Sequence, residues 1–490
     1  MQILIKIAFL LLPIMSIGQI SFYKHYADNG FDFAQGVVQL EDSSYVITGS
    51  SGSYASHSEA FLMHVDSTGN WLWSNHYGGP ETDWGQRVLY KKNFGYFIAG
   101  YSNSFGIGDY DFYLVKVDEN GQEEWSNTYG SDGWDKVMDA VMLRDTGVVM
   151  IGERQNGSYG LDMYIVRTDK NGDTLWTRTL ENNGNDVANA VDLYQDSILV
   201  IGGNRFNADS SQVKPILYLM TEAGVIFDTL DFSNYSGEFE LNDVQVLNDT
   251  VQALGSQRDN DQDFWGLNYY RTEISAMEFV GDFSYVENLT GDWHGDCFTW
   301  YDDASNRYLA FSFENNVNTF EGGTDVMIQY GTNLMFYINT VQFLAMVEPD
   351  VNGEIIPTSD GGAMLVGYHQ NPLVGSGGGT IFLYKIGPNE VYPDASNPTT
   401  VLHSNLVSIK EEFSAIDLKV YPNPANDLLN VDVPTNEIHH FQIFDSSGKT
   451  ILSGALNGSG SIDVNTFVSG VYLLKISNAS GQAIHRVIIQ

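Results

Sequence analysis

The chain has 490 residues, 43% of them hydrophobic, with 62 Asp and Glu against 23 Lys and Arg and a formal net charge of −39 at pH 7. Such a field repels other polyanions, which argues against nucleic acid and anionic membrane surfaces as partners. The single cysteine, Cys297, excludes an intramolecular disulfide, so the fold depends on its core.

Residues 1–18 predict a cleaved signal peptide. A lysine precedes an apolar run from Ile7 to Ile17, and small residues stand before Gln19. The run is shorter than the ~20 residues that cross a bilayer. We therefore expect export and no membrane span, with a buried N-terminal strand as the alternative.

Residues 19–387 carry an internal repeat of about fifty residues. Trp73, Trp125 and Trp176 mark it at spacings of 52 and 51. Each unit contains four predicted strands, and an Asp-x-x-Gly turn joins the third to the fourth, where glycine supplies the positive φ of a hairpin. A second-strand glycine recurs at Gly49, Gly100, Gly152, Gly202, Gly255 and Gly367, and Tyr308–Phe313 fills the remaining unit.

Seven four-stranded units predict an all-β fold, a seven-bladed β-propeller, with an open solenoid as the alternative. The last unit ends after its third strand. Phe22 and Tyr26 match the missing fourth strand, since each lies 51 residues before its counterpart in the next unit. We predict that the N-terminal strand pairs with Thr380–Ile386 and closes the ring.

The C-terminal part changes character. Residues 388–416 contain prolines and no repeat, which predicts a linker. Residues 417–490 alternate short strands with Gly, Asn and Pro, which predicts a small Ig-like β-sandwich.

This last segment carries a set of ordered motifs. They are Tyr421, Pro422, Asn423 and Pro424, then "ANDLLNV", then "SGVYLLKI" with Gly470 and Tyr472. The segment resembles the C-terminal sorting domain of the type IX (Por) secretion system of Bacteroidota. The resemblance implies that the type IX machinery recognises residues 417–490 and exports the protein through the periplasm, for release or surface attachment. An Ig-like adhesion module is the alternative.

Two series of carboxylates follow the repeat. The first, at the start of each first strand, is Asp32, Asp83, Asp135 and Asp186. First strands line the channel of a propeller, so these side chains would form a ligand-binding ring able to hold Ca²⁺. The alternative, favoured by the regular repetition, is that each caps the turn that enters its blade.

The second series opens the third strands at Glu59, Asp111, Asp162, Asp263 and Asp325. The stretch Asp259–Asp263 begins like an EF-hand loop but lacks the glycine and the distal Glu. A loose surface cation site is the remaining hypothesis there.

No catalytic residue is predicted. His294 and Cys297 stand three apart in a predicted strand and would point to opposite faces. No HExxH, GxSxG or Walker-type motif occurs. The repeated tryptophans resemble, at a spacing one residue shorter, the docking repeats of quinone-dependent dehydrogenases, but packing between blades is the preferred interpretation.

We therefore expect a monomeric, secreted or surface-displayed scaffold that binds a glycan or a protein, with no cofactor beyond the Ca²⁺ hypothesis. The alternative is an extracellular polysaccharide hydrolase or lyase on the same scaffold. A cluster of non-repeat residues on one face, such as His57, Arg154, Arg258 and Trp293, would discriminate between the two.

Overall fold

A computed structural model of the chain describes residues 20–27, 31–53, 57–157, 160–181, 184–207, 212–231, 238–259, 264–274, 292–300, 306–314, 324–332, 337–343, 350–370, 379–388, 393, 399–402, 419–422, 425, 427–433, 438–444, 450–468, 470–478 and 481–489. The predicted signal peptide lies outside these residues. Strands and turns account for the secondary structure of the described residues, with no helix among them. The chain divides into two compact units, residues 1–406 and 407–490.

The first strand of the chain is β1 (Phe22–Ala27), and the strands after it form antiparallel sheets in chain order, which we call blades. Blade 1 is β2 (Asp32–Gln39), β3 (Tyr45–Ser51), β4 (Glu59–Val65) and β5 (Trp71–Tyr77). Blade 2 is β6 (Asp83–Lys91), β7 (Gly95–Ser102), β8 (Asp111–Val117) and β9 (Glu123–Tyr129). Blade 3 is β10 (Asp135–Met142), β11 (Val148–Asn156), β12 (Gly160–Thr168) and β13 (Thr174–Leu180). Blade 4 is β14 (Asp186–Tyr194), β15 (Ile198–Phe206), β16 (Val213–Thr221) and β17 (Ile226–Asp231).

Three further sheets complete the first unit within the described residues. Blade 5 is β18 (Glu238–Leu247), β19 (Thr250–Asp259) and β20 (Phe264–Glu273). Blade 6 is β21 (Asp292–Trp300), β22 (Asn306–Glu314), β23 (Thr324–Thr332) and β24 (Tyr337–Phe343). Blade 7 is β25 (Asp350–Pro357), β26 (Ala363–Gln370), β27 (Gly379–Ile386), then β1 and β28 (Thr399–Leu402).

The blades are arranged as a β-propeller. The first strand of each blade contacts the first strand of the next, and β25 of blade 7 contacts β2 of blade 1. First strands therefore surround one axis, and the sheets stack around it. The count of seven blades stays a prediction, because the segment that follows β20 lies outside the described residues.

The N-terminal strand pairs as predicted. β1 runs antiparallel to β27, with Phe22 opposite Lys385 and Tyr26 opposite Ile381. Within the predicted linker, Thr399–Leu402 forms β28 and pairs in parallel with the outer edge of β1. The strand satisfies backbone groups that β1 would otherwise expose.

A β-bulge in each first strand explains the second-strand glycine. In blade 1 the pairing shifts between Ala34 and Gly36, opposite Gly49. A Cβ on Gly49 would overlap the carbonyl oxygen of Phe33, so the two backbones approach too closely for a side chain. In blade 4 this position belongs to Gly203 and not to the predicted Gly202.

The third strands of blades 1 to 4 and of blade 7 are buried on both faces over most of their length. Every residue of β8 is buried, including Lys116. Its ammonium donates to the carbonyl oxygens of Phe94 (2.5 Å) and Val117 (3.0 Å) and pairs with Glu124. The charge is therefore satisfied while the stem packs in the sheet stack.

Neighbouring blades are joined by the repeated aromatic residue and the turn glycine. Trp73 of blade 1 lies against Gly121 of blade 2, where a Cβ would be 2.8 Å from the indole. The hydroxyl of Tyr77 donates to the carbonyl oxygen of the same glycine, at 2.9 Å. The equivalent contacts of Trp125 and Tyr129 are made on Gly172. The preferred interpretation of the tryptophans, packing between blades, is confirmed.

The second unit consists of short strands, as predicted. One sheet is β29 (Lys419–Tyr421), β30 (Leu428–Asp432) and β33 (Gly460–Asp463). The other is β31 (Ile438–Phe444), β32 (Thr450–Asn457), β34 (Gly470–Asn478) and β35 (Gly481–Ile489). Leu429, Ile443, Leu474 and Ile489 belong to one buried core that both sheets share.

Candidate functional site

The first carboxylate series lies inside the blades. Asp32, Asp83, Asp135 and Asp186 each open a first strand and are at most 1% exposed. Asp83 is representative: its carboxylate accepts hydrogen bonds from the hydroxyls of Ser102 and Ser104 (2.7 Å for Ser104) and from the amide of Gly79 (2.7 Å). Burial raises the pKa of Asp83, while these hydrogen bonds oppose the rise. Such contacts are those of a carboxylate that caps a turn.

The structure brings the two predicted series together in pairs. Asp111, at the start of a third strand in blade 2, lies beside Asp135, which opens blade 3. A Cβ on Gly130 would lie between the two carboxylates, so this glycine makes room for the pair. Burial raises the pKa of Asp135, and the charge of Asp111 adds to the rise.

Among the described residues, no group of three or more His, Cys, Asp or Glu is arranged to hold a metal ion. Asp263 lies outside the described residues, and Asp325 belongs to β23. Ligand binding by the four aspartates stays a prediction.

A row of aromatic side chains crosses the same end of blades 1 to 3. We call it the aromatic arc, and its members are Phe31, Phe33, Trp84, Tyr101, Tyr110 and Trp134. Successive ring centroids along the arc are 6.4, 5.1, 5.9, 5.6 and 6.3 Å apart. At its two ends Phe31 is 47% and Trp134 is 45% exposed.

The backbone fixes the arc in place. Trp84 stands opposite Tyr101 in the β6–β7 pair, and the two rings stack with an interplanar angle of 5°. The amide of Asp135 donates to the carbonyl oxygen of Tyr110 at 2.7 Å, and Tyr110 forms an isolated bridge with Trp134. The arc is therefore built on strand ends and short bridges, which hold its rings without a ligand.

One cation lies within the arc. The ammonium of Lys136 is 4.5 Å from the ring centroid of Trp134, 5.2 Å from that of Tyr110 and 5.6 Å from that of Tyr101. Glu153 stands opposite Lys136 in the β10–β11 pair. Burial raises the pKa of Glu153, and Lys136 opposes that rise. These contacts hold the lysine against the ring faces.

Sequence reasoning missed the arc, although a signal was present. Phe31 and Trp134 directly precede a repeated aspartate, and Phe33, Trp84 and Lys136 directly follow one. The aspartate is constant, whereas its neighbours change from blade to blade. Comparing these flanking positions, and not the constant residue, would have located the arc.

The sequence analysis also missed a polar cluster on the propeller axis. Arg87 of β6 donates from Nε to Asp139 of β10 at 2.7 Å, and its Nε is 4.0 Å from Glu354 of β25. The other carboxylate oxygens accept amide hydrogen bonds from the next blade, Asp139 from Val191 (2.9 Å) and Glu354 from Val37 (2.7 Å). The cluster ties first strands of different blades together around the axis.

The other residues predicted from the sequence are not members of the arc as defined above. Cys297 is buried in β21, and His294 lies in the same strand. His57 is 3.7 Å from Glu59, and the guanidinium of Arg154 packs on the ring of Tyr164. The backbones of Arg258 and Trp293 belong to β19 and β21.

The predicted sorting residues occupy the second unit. Tyr421 ends β29, is 48% exposed and donates to Asp432 at 3.1 Å. Pro422 follows β29, which pairs with β30. Asn423 and Pro424 lie outside the described residues. Gly470 opens β34, and buried Tyr472 donates to the carbonyl oxygen of Val468 at 2.7 Å.

Comparison with protein families identifies the second unit. Residues 419–490 match the family described as the secretion system C-terminal sorting domain. This chain is thus a β-propeller protein with a type IX sorting domain, which implies interaction with that machinery and export to the cell surface or beyond. No helix in the described part of the chain has the length and hydrophobicity needed to cross a membrane.

A search of curated proteins found no match. Among solved structures, puromycin hydrolase is similar over 82% of this chain and 58% of its own length, at 10% identity and a TM-score of 0.44. The propeller domain of the Trilobed protease from Pyrococcus furiosus is similar over 74% of this chain and 93% of its own length, at 8% identity and a TM-score of 0.40. Polysaccharide lyase Uly1 is similar over 72% of this chain and 89% of its own length, at 10% identity and a TM-score of 0.42. We draw no activity from likenesses of this size.

Proposed function

We propose that the chain is an exported glycan-binding protein, in which the C-terminal unit directs export and the aromatic arc holds the ligand. The observation that carries the proposal is the arc itself. Soluble proteins seldom expose contiguous apolar surface unless it binds something. Here, two of the most exposed rings end a continuous row of six.

The chemistry of the arc suits sugars. One face of a sugar ring is lined by C–H groups and packs on an aromatic ring, while the hydroxyls at its edge need hydrogen-bond partners. Asp109 accepts from the indole of Trp134 at 3.1 Å and supplies an acceptor beside that ring, and the exposed Asp132 lies two residues before Trp134 in the chain. The arc therefore combines flat apolar contact with acceptors at its rim.

Substitutions at the ends of the arc test the proposal. Phe31→Ala and Trp134→Ala remove the two exposed end rings, and each should raise the Kd for a glycan found on an array by about tenfold, or ~1.4 kcal/mol. Phe227→Ala is the matched control, because Phe227 is 51% exposed but lies on the outer strand of blade 4. Equal binding by all three variants would contradict a role for the arc.

The export half of the proposal has its own test. Deleting residues 407–490 removes one compact unit and leaves the other whole. The truncated propeller should accumulate inside the outer membrane, as cell fractionation would detect. Its appearance in the medium at the level of the full chain would contradict the proposed route.

Hydrolysis is the second candidate, and the axial cluster is the observation that favours it. Burial raises the pKa of Glu354 in spite of the nearby Arg87 charge, and Asp139 adds to the rise. A pair of carboxyl groups, one of them with a raised pKa, is the arrangement of a glycosidase. Glu354→Gln should abolish any polysaccharide hydrolysis if the cluster is catalytic. If the cluster only ties blades together, the same variant lowers stability and no hydrolysis is found in the unsubstituted protein.

A further inference from the structure

We infer that the ligand of the aromatic arc is a linear, uncharged polysaccharide whose chain runs across blades 1 to 3. The inference rests on the glycan-binding function proposed above and names the class of glycan.

The shape of the arc indicates a linear ligand. Its rings form a row and not one pocket, with 5.1 to 6.4 Å between successive centroids from Phe31 to Trp134. A sugar ring is similar in size to an aromatic ring, so a single sugar covers one or two members. Only several linked sugars contact rings of all three blades at once, and each added contact strengthens binding by the chain.

The polar groups beside the row indicate an uncharged ligand. Asp109 is an exposed carboxylate that accepts from the indole of Trp134, and the exposed Asp132 lies two residues before Trp134 in the chain. They accept hydrogen bonds from sugar hydroxyls and repel the acidic groups of uronic acids or sulfated sugars.

The one cation of the arc does not reverse this preference. The ammonium of Lys136 lies 4.5 to 5.6 Å from three ring centroids, and Glu153 stands opposite Lys136 in the adjacent strand, so the ammonium is held against the rings. At longer range the net charge of −39 opposes the approach of a polyanion. Both the local and the global charge therefore favour a neutral chain.

Calorimetric titration of the full chain tests the inference. The probes are neutral gluco-, manno-, xylo-, galacto- and arabino-oligosaccharides from disaccharide to octasaccharide, and carboxymethylated forms of those that bind. We expect the Kd to fall at least ~10-fold with length before it levels off, and carboxymethylation to raise it by about tenfold. Phe31→Ala should make the Kd level off at a shorter oligosaccharide, whereas Phe227→Ala should leave the length dependence unchanged.

Two results would overturn the inference and leave the proposed function standing: a disaccharide that binds as tightly as the octasaccharide, or a carboxymethylated glycan that binds more tightly than its neutral parent. If no oligosaccharide of either kind binds, the glycan-binding function itself falls.

Discussion

At the scale of single residues, the turn glycines show two requirements combined at one position. Gly69, Gly121 and Gly172 all have φ between 75° and 83° in Asp-x-x-Gly turns. Each also faces an aromatic side chain of the preceding blade, so a Cβ there would be strained and would clash. The turn therefore joins two strands and also provides the surface on which the aromatic side chain of the preceding blade packs.

These two requirements can be separated by mutation. Gly121→Ala should lower the free energy of unfolding by ~2–4 kcal/mol, since it adds overpacking against Trp73 to the backbone strain. Gly157→Ala is the matched control, because Gly157 has φ of 65° and a Cβ there would meet nothing within 4 Å. It should cost only the strain, ~1–2 kcal/mol. Urea unfolding measures the free energy of unfolding of both variants. Equal decreases would show that the contact between Gly121 and Trp73 contributes nothing to stability.

At the scale of strands, β1 acts as the fourth strand of blade 7. The hydroxyl of Tyr26 donates to the carbonyl oxygen of Gly69 in blade 1, just as Tyr77 donates to Gly121 across the next junction. An unpaired buried carbonyl costs ~1–3 kcal/mol. Tyr26→Phe should therefore lower unfolding stability by an amount in that range. Tyr77→Phe should cost less, because the side-chain amide of Asn75 also donates to the carbonyl oxygen of Gly121, at 2.9 Å.

A half-buried tyrosine with an exposed hydroxyl provides the comparison for this pair. The hydroxyl of Tyr194 also donates a hydrogen bond, to Asp249 at 2.6 Å, but it does so in solvent. Tyr194→Phe should cost less than ~0.5 kcal/mol. Chemical denaturation of the three variants is the measurement. If Tyr26→Phe behaves like Tyr194→Phe, the N-terminal strand does not dock as the fourth strand of its blade.

Features that recur in every blade could be predicted from the sequence, whereas features that differ between blades could not. The order of the strands, the turn glycines and the pairing of β1 follow from the spacing of repeated residues, because every blade packs against its neighbours in the same way. β28 was missed because four residues, Thr399–Leu402, are too short to show a period. The arc was missed because its residues differ between blades, and the cluster around Arg87 because its members come from bulges far apart in sequence.

At the scale of the whole molecule, the excess of acidic groups is partly buried. Burial raises the pKa of Asp83, Asp135, Glu153 and Glu354. It also raises the pKa of Asp192 to about 6, although the amides of Val246 and Leu193 donate to this carboxylate. Asp66, which lies in a turn, has the opposite shift. Burial acts to raise its pKa, but hydrogen bonds from Asn70 and Thr68 lower it to about 2.

These opposite shifts predict an acidic optimum of stability. A carboxyl whose folded pKa is raised binds its proton more tightly in the folded state; for Asp192 this contribution is complete below about pH 4 and is lost as pH rises through about 6. A turn aspartate with a lowered pKa acts in the other direction; the contribution of Asp66 is lost as pH falls from about 4 to about 2. The unfolding free energy should therefore be highest near pH 4 and lower at pH 8. Self-repulsion of the net negative charge adds to that fall at low salt.

Asp192→Asn isolates one part of this pH dependence. Asparagine keeps one acceptor oxygen for the amide of Leu193 or Val246 but has no charge to desolvate. Between pH 5 and pH 8, the unfolding free energy of the variant should fall by about 1–2 kcal/mol less than that of the unsubstituted protein. A full shift of about two pKa units corresponds to ~2.7 kcal/mol. Guanidinium denaturation at both pH values gives the comparison, and its ionic strength removes most of the general repulsion. An unchanged difference between the two pH values would show that Asp192 is ionised in the folded protein throughout this range.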